Sequence, residues 1–210
     1  MTESHRRDWV EVAATVLLAV AAVATAWSSY QATRWNGEQA KASGRVNKAR
    51  IGAARAADLA NAQKQVDVAT FMQWVDAYAR GETRLVTFYR ARFRNEFKPA
   101  FNAWIATKPL KTPGAPPTPF AMPQYRLVAE AEAARLDENA EEHSAQVRRN
   151  IQRASNYVLG VVLFAVALFF AGMSTKLTAP GLRKAMLALG YVIFIGTAVW
   201  IATSPVSVAV

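Results

Sequence analysis

Apolar residues gather in three nearly unbroken runs, residues 9–27, 157–172 and 185–202, and a long, mostly polar stretch separates the first from the second. Each run holds 16–19 residues, so as a helix it measures roughly 24–29 Å, close to the hydrocarbon thickness of a bilayer. The second and third runs contain no charged residue, and the first contains only Glu11. This pattern predicts an all-α, three-span integral membrane protein. Its parts are an N-terminal segment and first span over 1–27, an extramembrane insert over 28–156, a two-span hairpin over 157–202 and a short tail over 203–210. The first run has signal-peptide features: His5, Arg6 and Arg7 before it, and Ala24-Thr25-Ala26 at its end. Asp8 and Glu11 place negative charge where such leaders seldom carry it, and Trp9, Trp27 and Tyr30 sit where interfacial anchors belong, so a retained helix is expected.

The insert has helical rather than strand-like periodicity. Val46, Ala49, Ala53, Ala56 and Ala60 recur in steps of three and four, a heptad seam built mostly of alanine. Ala133, Leu136, Ala140, Val147, Ile151 and Ala154 form a matching seam on the returning segment, with His143 in the same stripe. The two arms, about 34–64 and 124–155, carry opposite charge. Lys41, Arg45, Lys48, Arg50 and Arg55 face Glu130, Glu132, Asp137, Glu138, Glu141 and Glu142. An antiparallel, coiled-coil-like hairpin is expected. Counting equal distances from the ends of the apolar runs sets Arg45 opposite about Glu138, and Arg55 near Ala129 and Glu130.

Between the arms lies an aromatic cap, about 70–105. Phe71, Trp74 and Tyr78 share one helical face, Gly81 ends that helix, and Leu85, Tyr89, Phe93 and Phe97 recur every four residues on a second. Phe101 and Trp104 follow beyond Pro99. Interleaved Arg90, Arg92, Arg94 and Lys98 fall off that face, the pattern of a small core with a solvated rim rather than a base-stacking surface. The crossover 108–123 holds six of the nine prolines.

Charge then sets orientation and partners. The chain carries a net charge of +10, and residues 28–156 hold 20 Lys/Arg against 12 Asp/Glu. In a membrane protein such a surplus points to anionic lipid, with Arg34, Arg148, Arg149, Arg153, Lys176, Arg183 and Lys184 as candidate contacts, and not to nucleic acid. The short segments around Arg6 and Arg7 and around Lys176, Arg183 and Lys184 are basic. This predicts a cytoplasmic N-terminus and an extracytoplasmic insert in a cell membrane.

Reaction chemistry finds little footing. The chain has no cysteine and two histidines, and lacks a phosphate-binding loop, a zinc-protease helix motif, a nucleophile elbow and a dinucleotide fingerprint. The expectation is a protein without catalytic residues, metal or cofactor. The first span is more informative. Glu11, Thr15, Ala19, Ala22, Ala26 and Ser29 make one stripe in steps of three and four, while Val12, Val16, Val20, Val23 and Trp27 occupy the rest. Small stripes let transmembrane backbones approach closely, either within a subunit or around an oligomer axis where Glu11 would form a ring at one mouth.

Five short stretches, Trp27-Ser-Ser-Tyr-Gln-Ala32 with Trp35-Asn-Gly-Glu-Gln-Ala40, Arg92-Phe-Arg-Asn-Glu-Phe97, Thr118-Pro-Phe120 and Tyr157-Val-Leu159, give the chain a resemblance. It resembles an uncharacterised class of bacterial membrane proteins with one N-terminal span, a helical insert and a C-terminal two-span hairpin. The resemblance implies that architecture and a bacterial inner-membrane location; its motifs are of the packing type and imply no reaction. The functional expectation is a homo-oligomeric, channel-like protein lined by the first helix. The alternative is a scaffold whose insert docks an envelope protein or anionic lipid.

Overall fold

A computed structural model describes residues 9–109 and 111–207. The basic and acidic positions His5, Arg6, Arg7 and Asp8, together with Leu110 and the tail's last residues 208–210, lie outside the described residues. Every described element is helical: α1 (Trp9–Ala79), α2 (Thr83–Arg92), α3 (Lys98–Ala106), a 3-10 turn (Pro119–Ala121), α4 (Val128–Lys176) and α5 (Pro180–Ala202). Helices α1, α4 and α5 each contain a stretch long and apolar enough to cross a membrane.

Helix α1 runs unbroken for 71 residues. The first proline of the chain is Pro99, so nothing in that span removes a backbone donor, and its alanines favour helix throughout. As the glycine predicts, it stops just before Gly81, which takes φ +72, and the Glu82 amide closes the end by donating to the Ala77 carbonyl at 3.0 Å. The connection between α4 and α5 is only Leu177–Ala179. Pro180 and Gly181 lie in the first turn of α5, because proline's fixed φ and missing N–H suit a helix start.

The chain divides into two compact units, one of Met1–Gly44 with His143–Val210 and one of Arg45–Glu142. In the first, Val10, Ala14 and Leu17 pack with Ala171 and Leu187, and Ala32 and Trp35 pack with Ala154, Tyr157 and Ile201. Close approach depends on two glycines. A Cβ on Gly190 would come within 3.3 Å of the Ala167 carbonyl oxygen and of Leu17, and one on Gly160 within 2.8 Å of Ile201. Gly196 has nothing within 4 Å, while Thr197 beside it is buried.

In the second unit α1 and α4 run antiparallel, Arg50 pairing with Glu141 at 3.8 Å and Lys64 with Glu130 at 3.0 Å. Gly52 meets Leu136, and Ala60 packs with Leu127 and Ala129. The register differs from the sequence expectation, since Glu130 is reached by Lys64, about two and a half helical turns further along α1 than Arg55. The ends of the apolar runs are not level: Tyr157 packs with Ala32 and Trp35, which lie beyond Trp27 on α1. One seam position also changes. Ile151 is exposed, and Asn150 is buried in its place and accepts a hydrogen bond from Gln146 at 3.1 Å.

The cap's core is Phe71, Trp74, Phe93, Phe97, Phe101 and Trp104. Its second helix is shorter than the four-residue spacing suggests. α2 ends at Arg92, Phe93 turns extended with ψ 142, and α3 restarts with Pro99 near its N-terminus. The break lets Phe93, Phe97 and Phe101 converge edge to face at 4.8–5.0 Å from Phe93, where a straight helix would space them out along one line. Tyr78, expected in the core, is half exposed and stacks on Trp74, while Ala77 is buried. The proline-rich crossover closes the other side: Phe120 stacks on Phe97 at 5.2 Å and the Trp104 indole donates to the Pro116 carbonyl at 2.8 Å.

Candidate functional site

Helix α1 uses two adjacent faces differently in the first unit. The buried series Val10, Ala14, Leu17, Ala21, Ser28 and Gln31 packs inward, and the Tyr191 hydroxyl donates to the Ala13 carbonyl at 2.9 Å. The stripe read from the sequence lies about 100° round the helix. Glu11, Thr15, Ala19, Ala22, Ala26 and Ser29 are all exposed on the single chain. None of them serves the packing of α1 against α4 or α5. Thr15 satisfies its hydroxyl on the Glu11 carbonyl at 2.9 Å, so it adds no unpaired donor to that face. The valines expected beside the stripe, Val12, Val16, Val20 and Val23, are exposed as well, at 48–71 %.

The candidate lipid contacts form two groups along α4. Arg148, Arg149 and Arg153 precede its apolar stretch, and Lys176 ends it, with Arg183 and Lys184 following in the first turns of α5. Arg148, Arg149, Lys176 and Lys184 are exposed, while Arg34, Arg153 and Arg183 are half-buried. Arg153 lies over the Trp35 ring at 4.5 Å, which holds its charge beside the apolar segment. Arg149 donates to Gln146 at 2.8 Å.

Sequence reasoning missed the role of the tail. Trp35 Nε1 and the Tyr157 hydroxyl both donate to the Pro205 carbonyl at 3.2 Å, and the Gln31 side-chain oxygen accepts from the Ser207 amide at 2.9 Å. The signal was present in the motifs. Gln31, Trp35 and Tyr157 come from three of the quoted stretches and meet around one strand of tail, just as Phe97 meets Phe120 in the cap.

The cap also contains a buried charge that the sequence did not flag. Asp67 is fully buried, and one carboxylate oxygen accepts from Arg94 at 2.8 Å and from the Tyr125 hydroxyl at 3.0 Å. Arg94, expected on the solvated rim, is therefore drawn inward, and it also pairs with Glu96. Glu96 in turn accepts from the Val128 amide at the start of α4, where a carboxylate also suits the helix dipole. Burial raises the Asp67 pKa above the ordinary carboxylate value, against the opposing pull of Tyr125 and Arg94. Burial likewise raises Tyr125, and the neighbouring carboxylate adds to the shift. The group is sealed from solvent, so it keys the cap's fold-back and offers no base to a substrate. The available signal was Asp67's spacing, four before Phe71 on the buried stripe.

The molecule is thus an all-helical protein with three helices long and apolar enough to cross a membrane. Among the described residues no three His, Cys, Asp or Glu side chains gather as metal ligands. No family model, curated protein or solved structure matches the chain.

Proposed function

We propose that the chain is a non-enzymatic integral membrane protein of the bacterial inner membrane. It self-associates through the exposed small-residue face of α1 to form a channel-like assembly. One observation carries the reading: Glu11, Thr15, Ala19, Ala22, Ala26 and Ser29 stay exposed although the single chain already packs α1 on its neighbouring face. Alanine and serine on an outward face give a lipid little to grip but let a second backbone approach closely. Around an axis, Glu11 forms an acidic ring that favours cations, and the alanine stretch behind it forms an uncharged constriction that gates by dewetting. The N-terminus is cytoplasmic in this reading, as the basic short segments favour. The test is ion flux in liposomes. The wild type conducts with cation preference, and Glu11→Gln lowers cation selectivity several-fold while the assembly persists. A protein that assembles yet shows no flux, or a Glu11→Gln variant with unchanged selectivity, removes the channel reading.

A scaffold role that engages anionic lipid is the second reading, favoured by the basic groups before and after the apolar stretch of α4 and by Arg153 held over Trp35. It predicts phosphatidylglycerol retained through purification and lost when Arg148, Arg149 and Arg153 are replaced by glutamine.

A further inference from the structure

The cap holds a cavity of about 320 Å³ between α1 and the C-terminal end of α3, with Trp74, Tyr78, Trp104, Lys108 and Lys111 in its wall. That volume falls within the usual range of small-molecule sites, and an apolar wall with a few polar groups is their usual composition. Three aromatic rings supply flat surface, and Trp74 and Tyr78 are already stacked on one another at 5.2 Å.

The Trp104 indole is satisfied by Pro116, which leaves two lysines as the charged groups at this cavity. Lys108 follows the C-cap Thr107 of α3 and takes φ +51, the only positive φ on a non-glycine residue among those described. That is the position where helices favour glycine, so a lysine there is not what helix termination asks for. Neither Lys108 nor Lys111 forms a salt bridge among the described residues. The nearby acids Asp76 and Glu82 both pair with Arg80, at 2.7 and 3.0 Å.

We infer that this cavity binds a small organic anion with a flat apolar body, of the aryl carboxylate class. The rings of Trp74, Tyr78 and Trp104 hold the body, and Lys108 and Lys111 hold the carboxylate. Aromatic walls favour a ring over a flexible chain because offset stacking adds to area burial. Two uncompensated ammonium groups favour an acid over its neutral counterpart. The inference is independent of any channel activity.

The experiment uses the full chain in phosphatidylcholine nanodiscs, titrated with naphthoate by calorimetry against empty nanodiscs. The expected result is saturable binding at one site per chain. Lys108→Gly combined with Lys111→Gln weakens it by about tenfold or more, and replacing the acid by naphthyl methanol does the same. Lys108→Gly relieves the left-handed backbone, so its Tm stays level or rises, separating loss of ligand from loss of fold. The inference is overturned by no uptake beyond empty nanodiscs, by naphthoate binding unchanged in the double variant, or by the alcohol binding as well as the acid.

Discussion

Asp67 shows how a single side chain can organise a loop-rich cap. Its carboxylate is fully buried and depends on Arg94 and Tyr125. Removing one partner of such a pair strands the other, which typically costs 3–5 kcal/mol, more than the pair itself contributes. Arg94→Met is therefore expected to destabilise the cap by about 3 kcal/mol, read from the loss of near-UV dichroism on denaturant titration. Tyr125 gives a pH signature. Its pKa is raised in the folded state from an ordinary 10.0, so the folded state holds the phenolic proton more tightly than the unfolded chain does. The resulting stability is fully present below pH 10.0 and is lost as pH rises above it. Tyr125→Phe should flatten the fall in Tm between neutral pH and pH 11, and an unchanged slope would show that other groups carry it. Hydropathy marks neither residue: Asp67 is a polar group on a stripe that otherwise reads as aromatic core, and Tyr125 lies in the connection just before α4.

At the scale of elements, most of the helices were legible because their punctuation is chemical. Gly81 ends α1, and the apolar runs locate the long helices. What periodicity could not supply was where helices stop for tertiary reasons. A spacing of four carries Leu85, Tyr89, Phe93 and Phe97 along one line, but the core gains more by bending the chain after Arg92 and gathering the phenylalanines. The choice of Ile151 over Asn150 failed similarly: the apolar residue looked right, while the buried asparagine has a partner in Gln146. Glycine gave mixed guidance, and the difference is testable. Gly190→Val drives a side chain against the Ala167 backbone and should lower the Tm by several degrees, whereas Gly196→Ala meets open space and should leave it unchanged. Equal effects at both positions would mean that α5 packs differently.

For the whole molecule, the sequence revealed the class of architecture before it revealed any activity. Three apolar helices and an all-helical chain follow from the runs themselves. The register of the arms, the docking of the tail through Gln31, Trp35 and Tyr157, and the cavity beside Lys108 did not, since each depends on residues far apart in sequence. The stripe on α1 falls between these cases. It was visible as a line of small residues, and the burial pattern now separates it from the face that the chain uses for its own packing. Self-association through that face is the central claim, and the absence of native cysteine makes it directly measurable. Ala22→Cys and Ala26→Cys variants, oxidised in the membrane, should form disulfide-linked dimers, because a disulfide requires Cα atoms within about 7 Å. Val20→Cys and Val23→Cys, exposed off the stripe, should remain monomeric on the same gel. Equal cross-linking at all four positions, or none at Ala22 and Ala26, would contradict the account.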